Sequence, residues 1–219
     1  MTSQKAFIFD MDGVMINSEI IWKKIDPNFL HSFFGHKIGN ALVKKAHGSD
    51  INSIYKWAEQ LGFKGNKSAY VKAYDDLALT VYSKAVITPG LEELFDKLIS
   101  LNFKLGLVSS SRQNWIDQVL KKIPQAFKFK VIISLNDSPN LKPKPHPDGY
   151  LLAIKKLSST PESTIILEDS NPGIKSAKAS GAKTICLLEN QPSGYQPTGA
   201  DIYIDTIKAL TLKIESFLN

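Results

Sequence analysis

A single cysteine, Cys186, occurs among the 219 residues, which excludes a disulfide framework or a thiolate zinc site within the chain. Its setting, KTICLL, reads as a strand with a buried thiol. No apolar run approaches the length of a membrane helix. The apolar stretch near the start is cut by Asp10 and Asp12 and has no small-residue cleavage pattern, so neither a signal peptide nor a membrane partner is expected, and the location expected is cytoplasmic. Basic runs interleaved with aromatics are also lacking, which argues against a nucleic-acid partner. The formal charge of +6, from 27 basic and 21 acidic residues, is spread out, with Lys-Lys pairs at 23–24, 44–45, 121–122 and 155–156 on helical patterns that read as solvated faces. Such a balance suits an anionic small molecule. Internal repeats and low-complexity tracts are absent, and with 43% apolar residues the chain can bury a sizeable core.

What is present is a series of short apolar runs, each ending in a polar residue. AFIFDMDGV ends in Asp10 and Asp12, with Gly13 allowing a sharp turn that leaves both acids at a strand's carboxyl end. KLGLV ends in Ser109, followed by Ser110 and Ser111. LKPKPHP carries Lys144, and TIIL is followed by Glu168 and Asp169. Beyond residue 103, strand candidates at 103–109, 129–134, 163–168, 182–188 and 201–204 alternate with helical stripes. One stripe is Trp115, Val119 and Ile123; another is Tyr150, Leu151, Ile154 and Leu157; a third helix opens at Asn171-Pro172 and closes at Gly181; the last runs through Ile207, Leu210, Ile214 and Phe217. That alternation predicts an α/β fold with a doubly wound parallel sheet, whose carboxyl edge binds ligands.

One connection breaks the pattern, since roughly ninety residues separate the first strand from the next with almost no strand signal. Its last part, TPGLEELFDKLISL, reads as a core helix. The rest, EIIWKKIDPNFLHSFF, IGNALVKKA, SDINSIYKWAEQLGF and KSAYVKAYDDLALTVYSKA, reads as helices with abundant apolar residues to bury. The predicted organisation is a core of residues 1–16 and 87–219 with an α-helical cap over 17–86, hinged near Ser18 and near Ile87 to Gly90.

Each polar ending alone has a plain structural alternative: turn acids, a strand-end hydroxyl, a loop lysine, acids at a helix amino terminus. A calcium loop is disfavoured because Val14, Met15 and Ile16 follow Gly13 where oxygen ligands would be required. In this order and together, the endings resemble the haloacid dehalogenase superfamily, in its phosphatase and β-phosphoglucomutase-like branch with an α-helical cap. FIFDMDGVMINSE is similar to the first motif of that family, KLGLVSSS to the second, KPHPDGYLLA to the third and IILEDSNPGIKSAKASGA to the fourth. The resemblance spans nearly the whole chain and is weakest in the cap.

This resemblance implies that Asp10 attacks phosphorus to form an aspartyl-phosphate and that Asp12 protonates the leaving oxygen and later activates water. It implies phosphate binding by Ser109, Ser110 and Lys144, and a Mg²⁺ ion held by Asp10, the Asp12 backbone carbonyl and Asp169, with Glu168 close by or acting through water. The expected activity is Mg²⁺-dependent hydrolysis of a small phosphorylated metabolite, such as a sugar or polyol phosphate, by a monomer. Asp12 separates this reading from dehalogenation. A β-phosphoglucomutase-like isomerase is the first alternative, disfavoured because Trp22 and Ile51 stand where that relative has a cap histidine and arginine. A catalytically idle binding module is the second. Asn17 departs from the acid common at its place. The cap stretch KKAHGSD is similar to a specificity loop, which makes His47, Ser49 and Asp50 candidate substrate contacts, with helix capping as the alternative for the last two.

Overall fold

The computed structural model describes residues 4–46 and 49–217, so His47 lies outside the described residues. Six strands, β1 (Ala6–Phe9), β2 (Lys104–Ser109), β3 (Phe129–Ser134), β4 (Thr164–Glu168), β5 (Lys183–Leu187) and β6 (Ile202–Ile204), form one sheet in the order β3-β2-β1-β4-β5-β6. Every neighbouring pair is parallel. Such strands are covered on both faces, which is why AFIF and TIILE are buried at every position and read as unbroken apolar runs rather than alternating ones. This is the doubly wound α/β architecture expected from the alternation of elements.

Between β1 and β2 the chain forms α1 (Ser18–Phe34), α2 (His36–Ala46), α3 (Ile51–Gln60), α4 (Lys67–Lys84) and α5 (Leu91–Ser100). Asp50 starts α3 by accepting hydrogen bonds from the Asn52 and Ser53 amides, and Asn66 starts α4 by accepting from Ala69. Helices α1, α3 and α4 pack through an aromatic cluster in which Tyr70 is wholly buried against Phe29, Phe33, Phe34, Tyr55 and Tyr74. Two connectors join this cluster to the sheet. They are paired: Ile16 bridges Ile87, the Asn17 amide donates to the Val86 carbonyl at 3.1 Å, and the Val86 amide donates to Asn17 Oδ1 at 2.8 Å. Asn17 therefore serves as a connector clamp, a role that its side-chain oxygen fills.

The remaining helices are α6 (Gln113–Leu120), α7 (Asp148–Lys156), α8 (Asn171–Ala179) and α9 (Ile207–Lys213). Side chains alternate across the sheet: Phe7 and Phe9 share a core with residues of α5, α6 and α9, while Ala6 and Ile8 share one with Tyr150 and Ile154 of α7 and Ala177 of α8. Phe9 sits 5.1 Å from the Phe95 ring, and burying a side chain of this size stabilises the fold by about 1.5–3 kcal/mol. The Trp115 stripe ends earlier than its periodicity indicates. Helix α6 stops at Leu120 and a 3₁₀ turn at Pro124–Lys128 follows, because Pro124 has no amide hydrogen to continue the helix. Ile123 is nevertheless buried.

Strand β1 has β2 on one side and β4 on the other. The chain moves outward from β1 in one direction and then crosses to the other, so the carboxyl ends of β1, β2 and β4 meet at the reversal of strand order.

Candidate active site

Asp10 follows β1 directly and is held by its amide, which donates to the Leu167 carbonyl at the end of β4 at 2.9 Å. The chain then turns at Gly13, whose φ is +79°. A Cβ there would stand 1.9 Å from Asp169 Oδ2, so glycine is required both by the left-handed backbone and by the approach of the β1 loop to the β4 loop. The Gly13 carbonyl is fixed by Asn190 Nδ2 at 3.1 Å.

Lys144 lies 134 residues from Asp10 in sequence and donates to its Oδ1. The same ammonium donates to Glu168 Oε1 at 2.6 Å, and its side chain is 3% exposed. The Lys144–Pro145 peptide bond is cis. Glu168 is fully occupied by protein donors: Tyr150 also donates to Oε1 at 2.6 Å, while the Asp169 and Ser170 amides donate to Oε2 at 3.0 and 3.3 Å. A Cβ at Gly173 would fall 2.0 Å from this carboxylate, so the first turn of α8 packs directly on Glu168. Asp169 differs, since its Oδ2 is buried without a hydrogen-bond partner.

Asp12 is gripped by three hydroxyls. Ser18 Oγ donates to Oδ1 at 2.6 Å, Tyr82 OH donates to Oδ1 at 3.1 Å, and Ser111 Oγ donates to Oδ2 at 2.6 Å. Ser109 Oγ accepts from the Ser111 amide at 3.0 Å, and Ser110 is half-buried beside it on the wall of the same cavity. Tyr82 and Ser111 were not identified from sequence as partners of Asp12.

Charge accumulates here. Burial pushes the Asp10 carboxyl well above its ordinary value, against the pull of the Lys144 cation. Burial, then the Glu19, Asp10 and Glu168 carboxylates, do the same to Asp169. Burial favours a neutral Lys144, but Asp10 and Glu168 outweigh it and hold the ammonium charged. Asp12 is raised to about 6, by burial and then by Glu19, opposed by the hydroxyls of Ser111, Ser18 and Tyr82.

Ligand oxygens of Asp10, Glu168 and Asp169 come within 4.8 Å of one another. An orphaned buried Asp169 oxygen beside the Asp10 carboxylate is a donor set suited to a hard divalent cation such as Mg²⁺. Above it opens a cavity of about 430 Å³ lined by Asp10, Asp12, Asp169, Lys144 and Ser109 on one side. The cavity is lined as well by Trp22, Asp26, Lys44, Ile51 and Tyr74, all within residues 17–86, and by Trp115 of α6. Trp22 stacks on Tyr74 at 5.1 Å and Tyr74 on Trp115 at 6.0 Å. Ser49 and Asp50 also line it. Their polar atoms are engaged locally, because Ser49 Oγ donates to the Lys45 carbonyl at 2.9 Å and Asp50 caps α3 and accepts from Ser53 Oγ.

Residues 7–187 match the family model described as haloacid dehalogenase-like hydrolase. The chain is 27% identical over 183 residues to the phosphorylated carbohydrates phosphatase of Thermotoga maritima, an alignment covering 83% of each. It is 26% identical over 225 residues to the beta-phosphoglucomutase of Bacillus subtilis, covering 96% of this chain and 93% of that one. A solved hydrolase from Pseudomonas syringae has the same fold, with a TM-score of 0.80 over 99% of this chain and 100% of the other at 18% identity. No helix among the described residues is long and apolar enough to cross a membrane.

Proposed function

The chain belongs to the haloacid dehalogenase-like hydrolase family, and from that premise we propose that it is a Mg²⁺-dependent phosphatase that releases phosphate from a small phosphorylated sugar or polyol through an aspartyl-phosphate on Asp10. The observation carrying this reading is the meeting of Asp10, Lys144 and Asp169 at the floor of one cavity. Residues 17–86 act as a cap that supplies the cavity's far wall, turning on the connectors around Asn17 and Val86.

Asp10 attacks phosphorus, the bond to the leaving oxygen breaks, and the proton of Asp12 passes to that oxygen. Water then attacks the aspartyl-phosphate, its proton goes to Asp12, and Asp10 is freed as inorganic phosphate departs. Splitting one displacement into two requires an acid that is protonated in the first half and ionised in the second. A carboxyl with a pKa of about 6 exchanges between those forms near neutral pH, and such transfer contributes about 10²–10⁴ in rate. Lys144, Ser109 and Ser110 hold phosphoryl oxygens. Asp10, the Asp12 carbonyl and Asp169 would hold the metal, which when bound neutralises charge on the phosphoryl group.

An aromatic wall with the Asp26 carboxylate alongside suits a carbohydrate, whose C–H faces pack on rings while its hydroxyls donate to acids. The name of the Thermotoga maritima relative supports the same class. Trp22 and Ile51 both line the cavity and neither can hold a second phosphate, which favours hydrolysis over transfer within a sugar. Release of inorganic phosphate from a panel of sugar and polyol phosphates, dependent on Mg²⁺ and stopped reversibly by chelation, is the expected result. Turnover in excess chelator contradicts the metal assignment. Conversion of β-glucose 1-phosphate to the 6-phosphate without phosphate release contradicts hydrolysis.

The same acids set the stability of the metal-free protein. Asp10, Asp12 and Asp169 all have folded-state pKa values raised above their ordinary one. The folded chain therefore binds more protons than the unfolded one, and stability is lost as pH rises through those values. Thermal unfolding of the metal-free protein is expected at a lower temperature near about pH 8 than near about pH 5, with the gain on adding Mg²⁺ larger at the higher pH. A Mg²⁺ effect independent of pH contradicts ligation by these acids.

A further inference from the structure

We infer that Tyr82 is a positioning residue for the proton-carrying carboxyl of Asp12, an inference that rests on the phosphatase reading above. The hydroxyls on Asp12 come from separate parts of the chain: Ser18 opens α1, Ser111 follows β2, and Tyr82 stands near the end of α4. Tyr82 is 1% exposed, and its hydroxyl also lies 2.9 Å from Ser111 Oγ. Each of these two hydroxyls has a single proton, and both protons go to Asp12, so Tyr82 acts on the carboxyl directly.

The phenol has little freedom to move. The Trp115 ring lies 5.9 Å away and the Trp22 ring meets it edge-on at 6.1 Å. The backbone of this turn is fixed by the Lys122 ammonium, which donates to the carbonyls of Tyr82 and Ala85.

Among the described residues two donors thus occupy Asp12 Oδ1, whereas Oδ2 has Ser111 alone. The transferable proton belongs on the oxygen with fewer donors. Tyr82 fixes which face of the carboxyl carries it, and from Oδ2 the proton passes to the leaving oxygen as the phosphorus–oxygen bond breaks and the electron pair of that bond stays on the oxygen.

The test uses leaving groups that differ in their need for a proton. An alkoxide requires protonation as it leaves, and a p-nitrophenolate does not. Tyr82→Phe is expected to lower the ratio of kcat/KM for sorbitol 6-phosphate to that for p-nitrophenyl phosphate about ten-fold, the scale of one hydrogen bond to a charged group. Lys122→Met, which frees the same turn without touching the site, is expected to move the ratio in the same direction. Adding Tyr82→Phe to Asp12→Asn is expected to change nothing further. Equal losses on both substrates, with the ratio unmoved, overturn the inference and reduce Tyr82 to a packing residue. Absence of phosphate release by the folded wild-type protein from either compound counts against the phosphatase reading instead.

Discussion

Asp10→Asn is expected to lower phosphate release by at least about 10⁴-fold, the scale on which removing the nucleophile of a covalent mechanism acts, while leaving the protein folded. The amide keeps the shape of the carboxylate and an oxygen that can still accept from Lys144, but it has no charge with which to attack phosphorus. It also removes one of the acids that crowd this site, which Glu168 and Asp12 repel at present. Stability of the metal-free variant is therefore expected to equal or exceed that of wild type, so a loss of activity cannot be blamed on unfolding. Steady-state release of phosphate, read beside circular dichroism, checks both halves. Activity within a hundred-fold of wild type, a smaller loss than that of proton transfer alone at about 10²–10⁴, places the nucleophile elsewhere.

Lys144→Met is expected to have the opposite balance, with both activity and stability falling. The ammonium is the cation paired with Asp10 and Glu168, all three being nearly or wholly buried. Methionine matches its length and apolar stem but leaves two carboxylates facing each other without a counter-charge, a defect that costs about 3–5 kcal/mol. Protonation relieves that defect. Without the lysine the raised folded-state value of Asp10 rises further, so the deficit relative to wild type is largest at neutral pH and above and narrows as pH falls toward the range where that acid takes up a proton. Urea unfolding at several pH values measures this directly. A deficit that is constant with pH contradicts the account of a cation neutralising a crowded acid site.

These residues were legible in sequence because parallel strands bring their carboxyl ends to one edge whatever the length of chain between them. Asp10, Ser109 and Glu168-Asp169 each close an apolar run, and the crossovers of the sheet place them together. Lys144 sits in a loop and was reached only by its place in a motif. The division of labour between Glu168 and Asp169 was less visible, since it depends on Tyr150 and the first turn of α8 filling one carboxylate and not the other. Tyr82 was not legible at all. It is 70 residues from Asp12, on a helix whose apolar stripe merely marks it as core, and its contact with Asp12 emerges only once α4 is packed against α1 and α6. Asp50 shows the converse, because an acid in a stretch similar to a specificity loop is committed to capping α3. Asn17, which departs from the acid common at its place, joins the two connectors through its side chain.

The covalent step is open to direct capture. Rapid quenching in acid during turnover with Mg²⁺ and a phosphorylated substrate, followed by peptide mass spectrometry, is expected to find one phosphoryl group on the peptide containing Asp10, lost on neutral incubation and absent from Asp10→Asn. Steady turnover with no phosphoryl group on that peptide, or with the group on a different residue, contradicts the assignment of Asp10 as the attacking carboxylate.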